Sequence, residues 1–74
     1  MLEVMVGKVK WFDTVKGYGF LAYSENGHGE EKQVFVHYSA IEADGFKNLE
    51  AGQYVEFCII EDTRGKHAIN VRVI

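Results

Sequence analysis

The residues best suited to chemistry lie in two short aromatic runs, Lys16-Gly17-Tyr18-Gly19-Phe20-Leu21 and Val34-Phe35-Val36-His37-Tyr38. In each run two ring-bearing side chains stand two apart: Tyr18 and Phe20, then Phe35 and His37. On a β-strand that spacing puts both rings on one face. Val34, Val36 and Leu21 occupy the alternate positions and suit a buried face, while Gly19 leaves room for a close neighbour. Inward valines therefore predict that Tyr18, Phe20, Phe35 and His37 turn outward. An exposed group of rings with lysines beside it offers flat surfaces on which unpaired nucleobases stack. The competing reading makes the rings core, as strand aromatics usually are. It would put the valines in water and His37 in the interior, so the alternation of both runs favours outward rings.

Other chemistry finds less support. His28, His37, His67 and Cys58 match no zinc-ligand spacing, and no carboxylate pair is placed for acid–base work. No catalytic residue, metal site or cofactor is predicted. A phosphate-binding loop of the GxxxxGK[ST] kind is absent from the sequence, and Gly17-x-Gly19 is too short for a dinucleotide fingerprint. The net charge of −3 argues superficially against a nucleic-acid partner, but its distribution matters more than its sum. Residues 6–20 carry Lys8, Lys10 and Lys16 against Asp13, and residues 63–74 carry Arg64, Lys66 and Arg72 with no acid. Nine acids face only Lys32 and Lys47 between residues 21 and 62. Stacking should then outweigh counterion release in any affinity. Lys8 and Arg72 are read as ordinary solvated cations.

These residues need elements to position them. A chain of 74 residues has room for one domain, spanning 1–74. Strands are expected at about Val6–Asp13, Gly17–Tyr23, Gln33–His37, Tyr54–Glu61 and His67–Val73. In the first, strict alternation puts Trp11 on the face of Val9. A bulge near Lys10 would free Trp11 to join the outer rings, and partial exposure of Trp11 is predicted on that basis. Asp13 and Thr14 suit a tight connection, Asn26-Gly27 gives the polar Ser24–Lys32 loop hairpin chemistry, and Ser39 could start one helical turn. His28 is expected on the surface of that loop and His67 at a strand edge. The fourth strand puts Val55, Phe57 and Ile59 on one face and Glu56, Cys58 and Ile60 on the other, where the lone cysteine reads as packing; the fifth puts Ile69, Val71 and Val73 on one face. Five strands and little helix indicate an all-β fold, and closure into an antiparallel barrel hides the edges of so small a sheet. The five-stranded oligonucleotide/oligosaccharide-binding barrel (OB-fold) fits, with strands two and three as its ligand face.

The chain resembles the bacterial cold-shock proteins, members of the cold-shock domain family. Gly7-Lys8-Val9-Lys10-Trp11-Phe12, the Lys16–Phe20 run and the Val34–Ile41 run match that family in order and character, the last two resembling its ribonucleoprotein motifs. Gly45-Phe46-Lys47, Leu49-Glu50, Gly52-Gln53, Arg64-Gly65, Ala68 and Asn70-Val71 extend the similarity over nearly the whole chain. The resemblance implies a barrel that binds single-stranded RNA and DNA, often pyrimidine-rich, and acts as an RNA chaperone. Residue by residue it implies a nucleic-acid surface of Lys10, Trp11, Tyr18, Phe20, Phe35, His37, Tyr38 and Phe46, with Lys16 and Arg64 close by. Tyr18 and Tyr38 stand where phenylalanine is usual, the Ser24–Lys32 loop is longer than in most members, and Lys66 replaces a common proline.

A passive, ATP-independent mechanism follows, in which trapped single strands shift weak pairing equilibria, with effects on transcription and translation. A barrel binding a protein partner or an oligosaccharide through the same rings is the alternative, since fold does not fix ligand. The lone Cys58, the lack of a charged-then-apolar leader and the lack of a membrane-length apolar run are read as a cytoplasmic protein with no membrane partner. A monomer is the default, with a strand-swapped dimer as the variant that the long loop allows.

Overall fold

The computed structural model describes residues 2–25 and 29–74. Five strands, β1 (Met5–Asp13), β2 (Tyr18–Tyr23), β3 (Lys32–His37), β4 (Tyr54–Asp62) and β5 (Gly65–Val73), close into a barrel in the order β1-β2-β3-β5-β4. All neighbours are antiparallel except β3 and β5, which run parallel and meet at Phe35 and His67. A 3₁₀ turn over Tyr38–Ala40 follows β3. Its cap is His37 rather than the expected Ser39, because the imidazole Nδ1 accepts the Ser39 N–H. The expected hairpin at Asn26-Gly27 and the surface position of His28 lie outside the described residues. Among the described residues no helix is long and apolar enough to cross a membrane.

Alternation places the core as expected in the central strands. Leu21, Val34 and Val36 fill the interior with Val9, Val55, Phe57 and Val71, and Tyr23 meets Phe57 edge-on at 5.9 Å. Gly19 is inward and crowded: a Cβ there would strike the Trp11 carbonyl oxygen and lie 2.7 Å from Phe12 Cα. Two loop residues also join the core, Ile41 and Leu49. Their apolar side chains plug the barrel from a segment whose irregular backbone hides any period.

Three bulge-related effects decide which residues face out. Val9 pairs with Leu21 but Trp11 pairs with Phe20, so Lys10 is an extra residue on β1 and alternation resets after it. Trp11 is consequently 43% exposed, as the clash of periods in β1 required. In β5 the shared face expected of Ile69, Val71 and Val73 does not form. Asn70 adopts a left-handed conformation (φ 53°) at a second register shift, so Ala68 and Val71 are the buried pair and Val73 is exposed. Cys58, on the face opposite Val55 and Phe57, is buried too, bordering a groove with Val4, Asn70 and Arg72 at this same irregularity.

Candidate nucleic-acid interface

Pairing of β1, β2 and β3 assembles the rings. Phe20 is opposite Trp11 on one side and Phe35 on the other, while Tyr18 is opposite His37. Four rings consequently form a closed circuit. Centroids lie 5.6 Å apart for Trp11–Phe20, 5.9 Å for Phe20–Phe35, 5.8 Å for Phe35–Tyr18 and 6.2 Å for Tyr18–Trp11. All four contacts are tilted or edge-on, geometries favoured by the ring quadrupole. Tyr18, Phe20 and Phe35 are half-buried and His37 is exposed, so none of the four is sealed in the core.

The platform continues along the chain. His37 lies 4.5 Å from Tyr38, centroid to centroid, and the Tyr38 amide donates to the Gly17 carbonyl at 2.8 Å. Gly17, at φ 80°, leaves space that Tyr38 occupies: a Cβ there would lie 2.7 Å from the Tyr38 ring. Tyr38 in turn shares an apolar groove of about 380 Å³ with Val15, Phe46 and Lys47. Phe46 is 76% exposed, a ring presented to solvent by an irregular loop. The expected aromatic residues therefore form one connected tract, four rings in the circuit and three more beyond it.

Cations border this tract with unequal freedom. Lys10, at the bulge before Trp11, lies 3.3 Å from the Glu31 carboxylate. Lys16 sits in the β1–β2 turn, its amide bonded to the Asp13 side chain at 2.9 Å; Asp13, rather than Thr14, shapes that turn by also accepting the Val15 amide. Arg64, in the β4–β5 turn, donates to Asp62 at 3.0 Å. That guanidinium holds the Asp62 carboxyl below its ordinary value, and the bond raises Arg64 in return. Arg64 lines a groove of about 670 Å³ with Phe35, His37, Lys66 and His67. Sequence reasoning left His67 and Lys47 out of the site. Lys47 adjoins Phe46 in the chain and was findable; His67 reaches Phe35 only through parallel β3–β5 pairing, which no local pattern announces. Arg72 stays a surface cation, as expected: its side chain is 61% exposed while it bonds Glu56 at 2.7 Å.

A five-stranded closed barrel with a ring tract across its second and third strands defines a small OB-type barrel with an exposed aromatic face. Comparison with known proteins narrows that class. The family model described as 'Cold-shock' DNA-binding domain matches residues 5–74. A cold shock-like protein of Thermotoga maritima is 54% identical over 70 residues, covering 95% of this chain and 98% of its own. Cold shock protein CspD of Bacillus subtilis is 54% identical over 65 residues, 88% of this chain and 91% of its own. Among solved structures, drosophila Unr CSD456 superposes with a TM-score of 0.76 over 99% of this chain at 19% identity, a likeness of fold alone. This chain spans 27% of that one. The chain belongs to the cold-shock domain family, whose members bind single-stranded nucleic acid.

Proposed function

We propose that this protein is a single-domain, passive binder of single-stranded RNA and DNA, with a preference for pyrimidine-rich segments, acting as an ATP-independent RNA chaperone. Unpaired bases lie on Trp11, Tyr18, Phe20, Phe35, His37, Tyr38 and Phe46, while Lys10, Lys16 and Arg64 face phosphates. The observation that carries this reading is the four-ring circuit held open to solvent beside cations. Flat apolar faces need no particular base, so readout of sequence is weak and single strands are preferred because paired bases are already stacked. Holding messages unpaired in this way would alter their transcription and translation by mass action. The working form is a monomer in the cytoplasm, with strand exchange through the β2–β3 loop as the route to a dimer.

Phe35→Ala tests it. Loss of one stacking ring is worth about 1–3 kcal/mol, or roughly 5- to 150-fold in affinity, read by quenching of Trp11 fluorescence with a short oligothymidylate. Thermal unfolding of the variant should stay close to the parent, because Phe35 is outside the core. Quenching by duplex equal to that by single strand, or by an oligosaccharide or protein alone, would contradict the proposal.

A further inference from the structure

Beyond the rings already placed, Tyr54 at the start of β4 is also exposed, at 56%. Its register partner on β1 is Lys8, whose ammonium lies 5.3 Å from the Tyr54 ring centroid. Both residues line a groove of about 540 Å³ that also includes Val6, Lys10, Ser24 and Glu31. Lys10 joins this groove to the ring circuit, because the next residue is Trp11. Strand rise puts Lys8 about 10 Å back along β1 from Trp11, and Tyr54 one strand spacing of about 5 Å to the side. The aromatic tract on β1–β3 thus continues, through two lysines, to another ring on β4.

We propose that Tyr54 and Lys8 form an additional nucleotide subsite at the β1/β4 end of the interface. The subsite takes one unpaired nucleotide, its base against the Tyr54 ring and its phosphate near Lys8 and Lys10. It rests on reading the four-ring circuit as a single-strand platform. Three features point to a nucleotide. The ring is more than half exposed, so a stacking surface is available. The Lys8 ammonium, 5.3 Å from the ring centroid, keeps a cation beside that surface, where the phosphate of a nucleotide stacked there would meet it. The groove also carries two cations against the single carboxylate of Glu31. Glu31 already bonds Lys10, so an incoming phosphate competes for that lysine and relies the more on Lys8. A barrel of this kind covers about 4–16 nucleotides, a span with room for a subsite past Trp11.

The experiment is a length series of oligothymidylates, from about 4 to about 10 nucleotides, titrated into the whole chain with Trp11 fluorescence as readout. Parent affinity should step up once the strand is long enough to pass Trp11. Tyr54→Ala should bind the shortest strands as the parent does and lose that step, a loss of about 5- to 150-fold on long strands. Tyr54→Phe should keep it. Lys8→Gln should flatten the slope of log affinity against log salt by about 0.7 on long strands only. Identical curves for parent, Tyr54→Ala and Lys8→Gln at every length would overturn the subsite while leaving the platform intact. An equal loss at all lengths in Tyr54→Ala would overturn it too, because the ring would then act on the barrel as a whole. Failure of the parent to bind the shortest strands that still cross the four rings would overturn the platform reading instead.

Discussion

Single side chains and even single hydrogens decide how this surface is built. Gly19 lies inward between the outward Tyr18 and Phe20, with backbone atoms of Trp11 and Phe12 where a Cβ would go. Gly19→Ala must push β1 away from β2, and overpacking of this kind costs about 1–3 kcal/mol. Urea unfolding should register that loss, and an unchanged midpoint would show that the two strands part freely. Asp62 offers a second test. Its carboxyl is held low chiefly by the side-chain bond from Arg64, so the pair's contribution to stability is complete at neutral pH. That contribution fades as pH falls from the ordinary 3.8 through the lowered value of the folded protein. The melting temperatures of parent and Asp62→Asn should therefore converge on acidification. At neutral pH the same variant should bind single strands more tightly and with a steeper salt slope, since Arg64 is released toward phosphate. Parallel melting curves at all pH values would argue against the tie.

Elements then set which of these side chains can meet. The β1 bulge was legible in the sequence because Val9 and Trp11 made incompatible demands on one period, and an extra residue resolves them. The outward rings of β2 and β3 were legible for a similar reason, as Val34, Val36 and Leu21 claim the interior. The β5 bulge was not. Ile69, Val71 and Val73 alternate without conflict, and only the left-handed Asn70 reveals that Val71 pairs inward with Ala68. Tyr54 carries no such signal, because one aromatic at a strand start has no period and its lysine comes from a strand more than forty residues earlier in the chain. The residue leading into β3 adds a contact of another kind, the Glu31 carboxylate on Lys10. Both side chains are about half exposed, so the pair is worth about 0–1 kcal/mol. Glu31→Gln should raise affinity for single strands by no more than about fivefold and steepen the salt slope by about 0.7, as Lys10 becomes available to a phosphate. A weaker-binding variant would mean that Glu31 positions Lys10 for the ligand instead of withholding it.

Over the whole molecule, one closed barrel divides its aromatic residues by wall. Tyr23 and Phe57 pack inside, while Trp11, Tyr18, Phe20 and Phe35 stand on the β1–β3 wall with His37, Tyr38 and Phe46 beyond them. A net charge of −3 keeps long-range attraction for polyanions small, so affinity rests on contact with the rings. The most direct measurement is the set of aromatic ¹H–¹³C shifts by nuclear magnetic resonance as a short oligothymidylate is added. Stacked bases should move the Trp11, Tyr18, Phe20 and Phe35 signals upfield through their ring currents and leave Tyr23 and Phe57 almost still. Shifts confined to other residues, or absent at saturation, would contradict the account.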